Sequence, residues 1–222
     1  MTTAFVLVHG AWHRPSTFDL LRVELDALGH ASVSVNLPTA GPDPQGGLAE
    51  DAAAVRAAIE AIEGPVVVLA HSYGGIPVTQ AAAGLSNVQQ LIYLAAYVPD
   101  IGESMFTIHG VPDPEDSDAL FPIGDDPHSL LYADVPSPLA EQAVADLVEQ
   151  RVQPWVDRVT AAAWRTIPST YIITERDATL PVALQERMSA HTKQVRRIAT
   201  SHSPFLFQPA EFAAVLDELS SR

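Results

Sequence analysis

The chain contains no cysteine. Disulfide frameworks, thiolate metal sites and cysteine nucleophiles are therefore excluded. Basic residues are scarce: 12 Lys and Arg stand against 27 Asp and Glu, a formal charge of −15. A pI near 4.7 argues against nucleic acid as a partner, because phosphate binding needs clustered cations. Anionic membrane surfaces repel such a chain as well. No apolar run approaches the roughly 20 residues needed to span a bilayer. The opening Met1-Thr2-Thr3-Ala4 lacks the basic residues of a leader and enters an apolar stretch at once. No signal peptide is expected, and the cytoplasm is the expected compartment.

What is there is a 222-residue chain, 47% hydrophobic and 18% charged. This suits one globular domain carrying an insertion. Ala4 to Val8 is a continuous apolar run, as in a strand covered on both faces. Phe18, Leu21, Leu25 and Leu28 follow at helical spacing, stopped by Gly29. Ala31 to Leu37 reads as a second strand, and Leu48, Ala52, Val55, Ile59 and Ile62 mark the next helix. Val66 to Ala70 is the most strand-like segment, and Gly74 to Gly84 suits a small-residue helix. Strands are expected at Leu91 to Ala95, Ser169 to Thr174 and Gln194 to Ala199. Helices are expected at Pro181 to His191 and Pro209 to Leu219. Strand alternating with helix defines an α/β fold with a mostly parallel sheet.

Residues 103–164 break the alternation. They hold many prolines, an acidic turn-rich run from Pro112 to Asp118, helical patterning from Leu139 to Arg151, and scattered large apolar side chains. Long insertions in compact domains are often lids. We therefore expect a core of 1–102 and 165–222 with a cap at 103–164. Phe106, Phe121, Leu131 and Trp155, together with Gly10 and Trp12 of the first loop, are expected to line a pocket beneath it.

The strongest chemical signal is Val66-Val67-Val68-Leu69-Ala70-His71-Ser72-Tyr73-Gly74-Gly75. A serine on a tight strand-to-helix turn projects its hydroxyl above the sheet, and small neighbours are needed because backbone segments crowd that turn. Ala70 stands where the pattern usually has Gly. The run Phe5-Val6-Leu7-Val8-His9-Gly10-Ala11-Trp12-His13 ends a strand in His-Gly. In this geometry such a loop supplies one backbone donor for a developing oxyanion, and the residue after the nucleophile supplies the other. These are the N–H groups of Ala11 and Tyr73. His9 and His13 stand four apart, but on a turn and without an accompanying Glu, so no metal is expected.

A serine hydroxyl needs a base, and an imidazole needs a carboxylate to fix its tautomer. The expected chain order is Ser, acid, His. Asp177 follows the Ser169–Thr174 strand, with Glu175 as a competing acid. His202 comes 202 − 177 = 25 positions later, in a loop before the last helix. His191 competes as base but ends a predicted helix, where a solvated position is expected.

These residues resemble the α/β-hydrolase superfamily, in particular the branch of plant methyl esterases and hydroxynitrile lyases. The likeness runs through Phe5–His13, Ala70–Gly75, Leu91–Asp100, Tyr171–Pro181 and His202. It implies an α/β-hydrolase fold with a small cap inserted after the sixth-strand position of that fold. It also implies a Ser72, Asp177, His202 triad, no cofactor, and a small-molecule ester as substrate. Lyases of this branch carry Thr after the first-loop His and Lys after the catalytic His. Gly10 and Ser203 occupy those positions, which favours ester hydrolysis, and Ser72 disfavours relatives with an Asp nucleophile. The rival readings are a lyase, a C–C-cleaving or cyclising enzyme on the same scaffold, and a non-catalytic binding protein.

Overall fold

The computed structural model describes residues 3–221; Met1 and Thr2, part of the leader reading above, lie outside the described residues. Six strands form one sheet in the order β2-β1-β4-β5-β7-β8: β1 (Ala4–Val8), β2 (Ala31–Val35), β4 (Val66–His71), β5 (Val88–Leu94), β7 (Ser169–Thr174) and β8 (Gln194–Ile198). Every pairing between them is parallel. Two-residue strands β3 (Ala40–Gly41) and β6 (Glu149–Gln150) form a separate antiparallel ribbon.

The period-2 alternation of side chains divides the core in two. Val6, Val8, Val66, Val68, Leu91, Tyr93, Tyr171 and Ile173 face one side, where helices α2 (Leu48–Glu60) and α3 (Gly75–Ala81) pack. Phe5, Leu7, Val67, Leu69, Ile92, Leu94 and Ile172 face the other. There they meet Leu21 and Leu25 of α1 (Asp19–Ala27) and Phe212 and Leu216 of α10 (Pro209–Ser220). All six residues of β4 are buried, which explains its unbroken apolar sequence.

The insertion leaves the sheet after β5, the fourth of its six strands along the chain. It contains α4 (Met105–His109), α5 (Pro127–Leu131), α6 (Ser137–Ala145), β6 and α7 (Gln153–Val156). Here one expectation is corrected. Helical patterning runs to Arg151 in the sequence, but the helix stops at Ala145, and Glu149 and Gln150 pair with Gly41 and Ala40. The Val148 N–H donates to the Trp12 carbonyl and the Arg151 N–H to the Thr39 carbonyl. Backbone partners in the core outweigh the local period. Helix α8 (Val182–Ser189) follows β7, and a short helix α9 (Pro204–Phe207) precedes α10.

Strand order reverses between β1 and β4, since β2 lies on one side of β1 and β4 on the other. The carboxyl ends of strands flanking such a switch point frame the crevice where open parallel sheets bind ligands. His9–His13 leaves the end of β1, and Ser72 the end of β4.

Candidate active site

Ser72 sits in the left-handed region at φ 54°, costly for a residue with a side chain and characteristic of functional turns. The turn is possible because its neighbours are small. A Cβ on Gly74 would lie 2.6 Å from the His9 carbonyl oxygen and 2.7 Å from that of Val8. A Cβ on Gly10 would lie 2.9 Å from Ser72 Cβ and 3.1 Å from the His71 ring. Backbone therefore passes on both sides of the serine with no space to spare. Trp12, in the loop four residues past β1, at φ 62°, and Ala95, directly after β5, at φ 42°, share this unusual conformation.

The two backbone groups expected to bind an oxyanion are held alike. The Gly10 carbonyl accepts from His9 Nδ1 at 2.9 Å and from the His13 N–H at 3.4 Å. The N–H across that peptide belongs to Ala11 and, in a planar trans unit, is directed the opposite way. The Ser72 carbonyl accepts from the N–H groups of Tyr97, at 3.1 Å, and Gly75. The N–H across that peptide belongs to Tyr73, in a 3-10 turn (Ser72–Gly74) that runs into α3.

Both first-loop histidines are buried and used. His9 Nδ1–H donates to the Gly10 carbonyl, so its Nε2 is the acceptor, facing the Leu37 N–H at 3.5 Å. His13 Nδ1–H donates to the Ala11 carbonyl at 2.6 Å, and its Nε2 accepts from Tyr132 Oη at 2.9 Å. Burial pushes the pKa of His9 down to about 4 and of His13 to about 3, against the opposing pull of their backbone acceptors.

Asp177 and His202 are brought together. His202 Nδ1 donates to Asp177 Oδ2 at 2.7 Å, with both side chains sealed from solvent. Asp177 Oδ1 accepts from the N–H groups of Thr179 and Leu180, each at 2.8 Å. Its Oδ2 also accepts from Thr174 Oγ1 at 2.7 Å. Burial acts to raise this carboxyl's pKa, but the His202 charge and these donors outweigh it and hold it below the usual range. The competing acid Glu175 faces Arg197 at 3.9 Å, at an exposed position. The other imidazole nitrogen, His202 Nε2, is buried and makes no hydrogen bond among the described residues. The Ser72 hydroxyl is thus not hydrogen-bonded to it, a contact that in such sites often tightens only with substrate in place. His71, directly before Ser72 in the chain, donates through Nε2 to the His202 carbonyl at 3.1 Å, its ring 4.5 Å from that of His202. The competing base His191 is half-buried. It stacks on Trp164 at 4.4 Å and donates through Nδ1 to the Val98 carbonyl.

Of the expected pocket residues, Trp12, Phe121 and Trp155 gather beside the serine turn. Phe121 stacks on Trp155 at 4.0 Å, and Trp155 lies parallel to the Tyr73 ring at 5.8 Å. Trp12 Nε1 donates to the Phe121 carbonyl. Phe106 packs against the core on that face of the sheet, whereas Leu131 belongs to the core on the opposite face. A cavity of about 330 Å³ lies to one side, between α1, α6 and α9, with His13, Tyr132, Leu139 and Leu206 in its wall. Ser72 is not part of that wall, so the site is defined by side-chain geometry rather than by this cavity.

Sequence reasoning missed several supports. Asp134 of the insertion accepts from the N–H and hydroxyl of Ser201, next to His202. Gln185 of α8 donates to the Thr174 and Leu180 carbonyls behind Asp177. Asp51 of α2 accepts from Tyr73. Only Asp51 had a local signal: it lies three residues after Leu48 and four before Val55, on the face that should be apolar.

A doubly wound parallel sheet with a strained serine turn at its switch point and a buried Asp-His pair beside it is a hydrolase architecture. The alpha/beta hydrolase family pattern matches residues 5–215, and the chain belongs to that family. It is 31% identical to "Alpha/beta hydrolase nvfD" of Aspergillus novofumigatus, over 93% of this chain and 92% of that one. It is 26% identical to "Methylesterase 7" of Arabidopsis thaliana, over 98% and 96% of the two chains. The solved structure of the methylesterase protein MES16 from Arabidopsis superposes with a TM-score of 0.84 at 22% identity, covering 99% of each chain. The solved structure supports the fold, and the methylesterase relative supports the methylesterase-like branch named from the sequence. No described helix is long and apolar enough to cross a membrane.

Proposed function

We propose that this protein is a cofactor-independent serine hydrolase acting on small, largely apolar carboxylic esters. The observation that carries the reading is the buried Asp177–His202 pair, whose second imidazole nitrogen has no partner and lies beside the serine turn. The relative named as a methylesterase supports ester hydrolysis as the class of reaction. Residues 103–164 act as the cap in this reading.

In the proposed mechanism His202 Nε2 takes the proton from Ser72 as its oxygen attacks the ester carbonyl. Asp177 holds the tautomer that leaves Nε2 unprotonated and stabilises the imidazolium once formed. The Ala11 and Tyr73 N–H groups bind the oxyanion, each worth roughly 3–4 kcal/mol in comparable sites. The imidazolium then protonates the leaving alcohol, and water, activated by the same base, releases the acid. The lyase alternative has less support. Gly10 has no room for the Thr those enzymes carry, since even a Cβ would press on Ser72, and Ser203 supplies no cation for a leaving cyanide.

The test is Ser72→Ala, assayed on p-nitrophenyl acetate and butyrate. Turnover should fall by at least about 10³-fold with the circular-dichroism spectrum unchanged, and a fluorophosphonate should label the wild type at Ser72. Full residual turnover in the variant would remove Ser72 from the mechanism.

A further inference from the structure

We infer that Asp51 is a positioning residue that holds the serine turn in its strained shape through the Tyr73 side chain, and that the insertion is fastened to the same network. The inference rests on the hydrolytic reading, because the group it orients is the Tyr73 N–H.

Asp51 is completely buried in α2. Among the described residues no Lys, Arg or His forms an ion pair with it, and its donors are all neutral. Thr39 donates to it through N–H at 3.1 Å and Oγ1 at 2.6 Å, and Tyr73 Oη donates at 2.6 Å. Burial pushes the carboxyl's pKa up to about 6 despite those three hydrogen bonds. A buried carboxylate without a cation is a poor contributor to stability, and an apolar side chain in its place would often serve the fold better. Its position accounts for it. Tyr73 directly follows Ser72, whose left-handed backbone persists only where the surroundings over-determine it. The Ser72 carbonyl is fixed by Tyr97 and Gly75. The Tyr73 ring is fixed at its tip by Asp51 and on its face by Trp155. With peptide and side chain both anchored, the turn has no direction in which to relax.

The same carboxylate reaches the insertion. Gln150 Nε2 donates to Thr39 Oγ1 at 2.9 Å, and Gln150 pairs with Ala40 in the short ribbon. The Phe121 N–H donates to the Gln150 carbonyl, and Phe121 stacks on Trp155, which covers Tyr73. A closed circuit therefore runs from α2 through the 39–41 segment and the insertion back to the residue after the serine.

The experiment compares Asp51→Asn, Tyr73→Phe and the double variant in the full chain. It measures kcat and KM on p-nitrophenyl butyrate, the rate of Ser72 labelling by a fluorophosphonate, and the urea midpoint. Each single substitution should lower kcat and labelling rate about tenfold, because a donor displaced by part of an ångström loses much of its effect. KM should stay within twofold, and the double variant should be no slower than the slower single one, since both break the same link. Singles within twofold of wild type in kcat, or losses that multiply in the double variant, would overturn the inference. So would a lower urea midpoint with kcat per labelled site unchanged, the mark of a purely structural role. If Asp51→Asn does not fold, Tyr73→Phe, which removes one oxygen and keeps the stacked ring, decides alone. A wild type that neither labels nor turns over ester refutes the hydrolytic reading and the inference with it. Normal wild-type labelling with indifferent variants refutes the inference only.

Discussion

Acid should unfold this protein earlier than its carboxylates alone would dictate, because neutral histidines are sealed inside it. His9 and His13 have folded-state pKa values near 4 and 3, against an ordinary 6.5. Below pH 6.5 the unfolded chain takes up protons that the folded chain refuses. Their stabilising contribution is complete above that point and is lost as the pH falls toward 4 for His9 and 3 for His13. Each pH unit in that window costs about 1.4 kcal/mol per residue, so at pH 5 the pair has cost about 4 kcal/mol. His71, also held well below its ordinary value by burial, acts in the same direction. Asp51 opposes them: its folded-state value near 6 lies above the ordinary 3.8. The folded chain therefore binds that proton first and regains about 1 kcal/mol by pH 5. The histidines win, with a net loss of about 3 kcal/mol or more between pH 7.5 and 5, a large fraction of a typical domain's 5–15 kcal/mol. For a chain of this length the melting temperature should drop roughly 6–12 °C. Urea unfolding followed by tryptophan fluorescence at the two pH values measures it directly. Equal or greater stability at pH 5 would refute the reasoning.

Further expectations concern the turn and the pair beside it. Gly74→Ala forces a Cβ against two strand-end carbonyls, and should cost about 3 kcal/mol in urea unfolding while removing esterase turnover; a variant with wild-type midpoint and rate would show that the turn has room. Asp177→Asn keeps the shape but loses the charge that selects the His202 tautomer, so kcat should fall about 10³–10⁴-fold. Retention of more than a tenth of the rate would place the orienting carboxylate elsewhere.

Sheet and serine turn were legible because their signals are local. The runs Ala4–Val8, Val66–Ala70 and Ser169–Thr174 have to be buried on both faces, and small residues have to surround Ser72. The observed strands match them to within a residue. The insertion was less legible. Its segments are short and take their conformation from partners far along the chain, as when Glu149 and Gln150 leave the helical period to pair with residues 40–41. Nothing in the spacing of Phe121, Leu131 and Trp155 tells which side of the sheet each will face, and Leu131 lies opposite the other two. Asp177 could be chosen over Glu175 from its place deeper in the loop, but the donors that hold its charge, from Thr174, Thr179 and Leu180, are visible only in three dimensions. His191 keeps part of the solvent exposure that a helix end suggests, but the ring it stacks on, Trp164, comes 27 positions earlier and could not be read from local spacing.

The fastenings of the insertion bear on how such a scaffold diversifies. Asp134 grips the histidine loop, Gln150 the 39–41 segment, and Trp155 the residue after the serine. Transplanting a foreign insertion onto this core would sever all three moorings at once and leave buried acceptors and a bare tyrosine ring behind. New substrate preference is thus more readily reached by exchanging single side chains between the moorings than by swapping the segment whole.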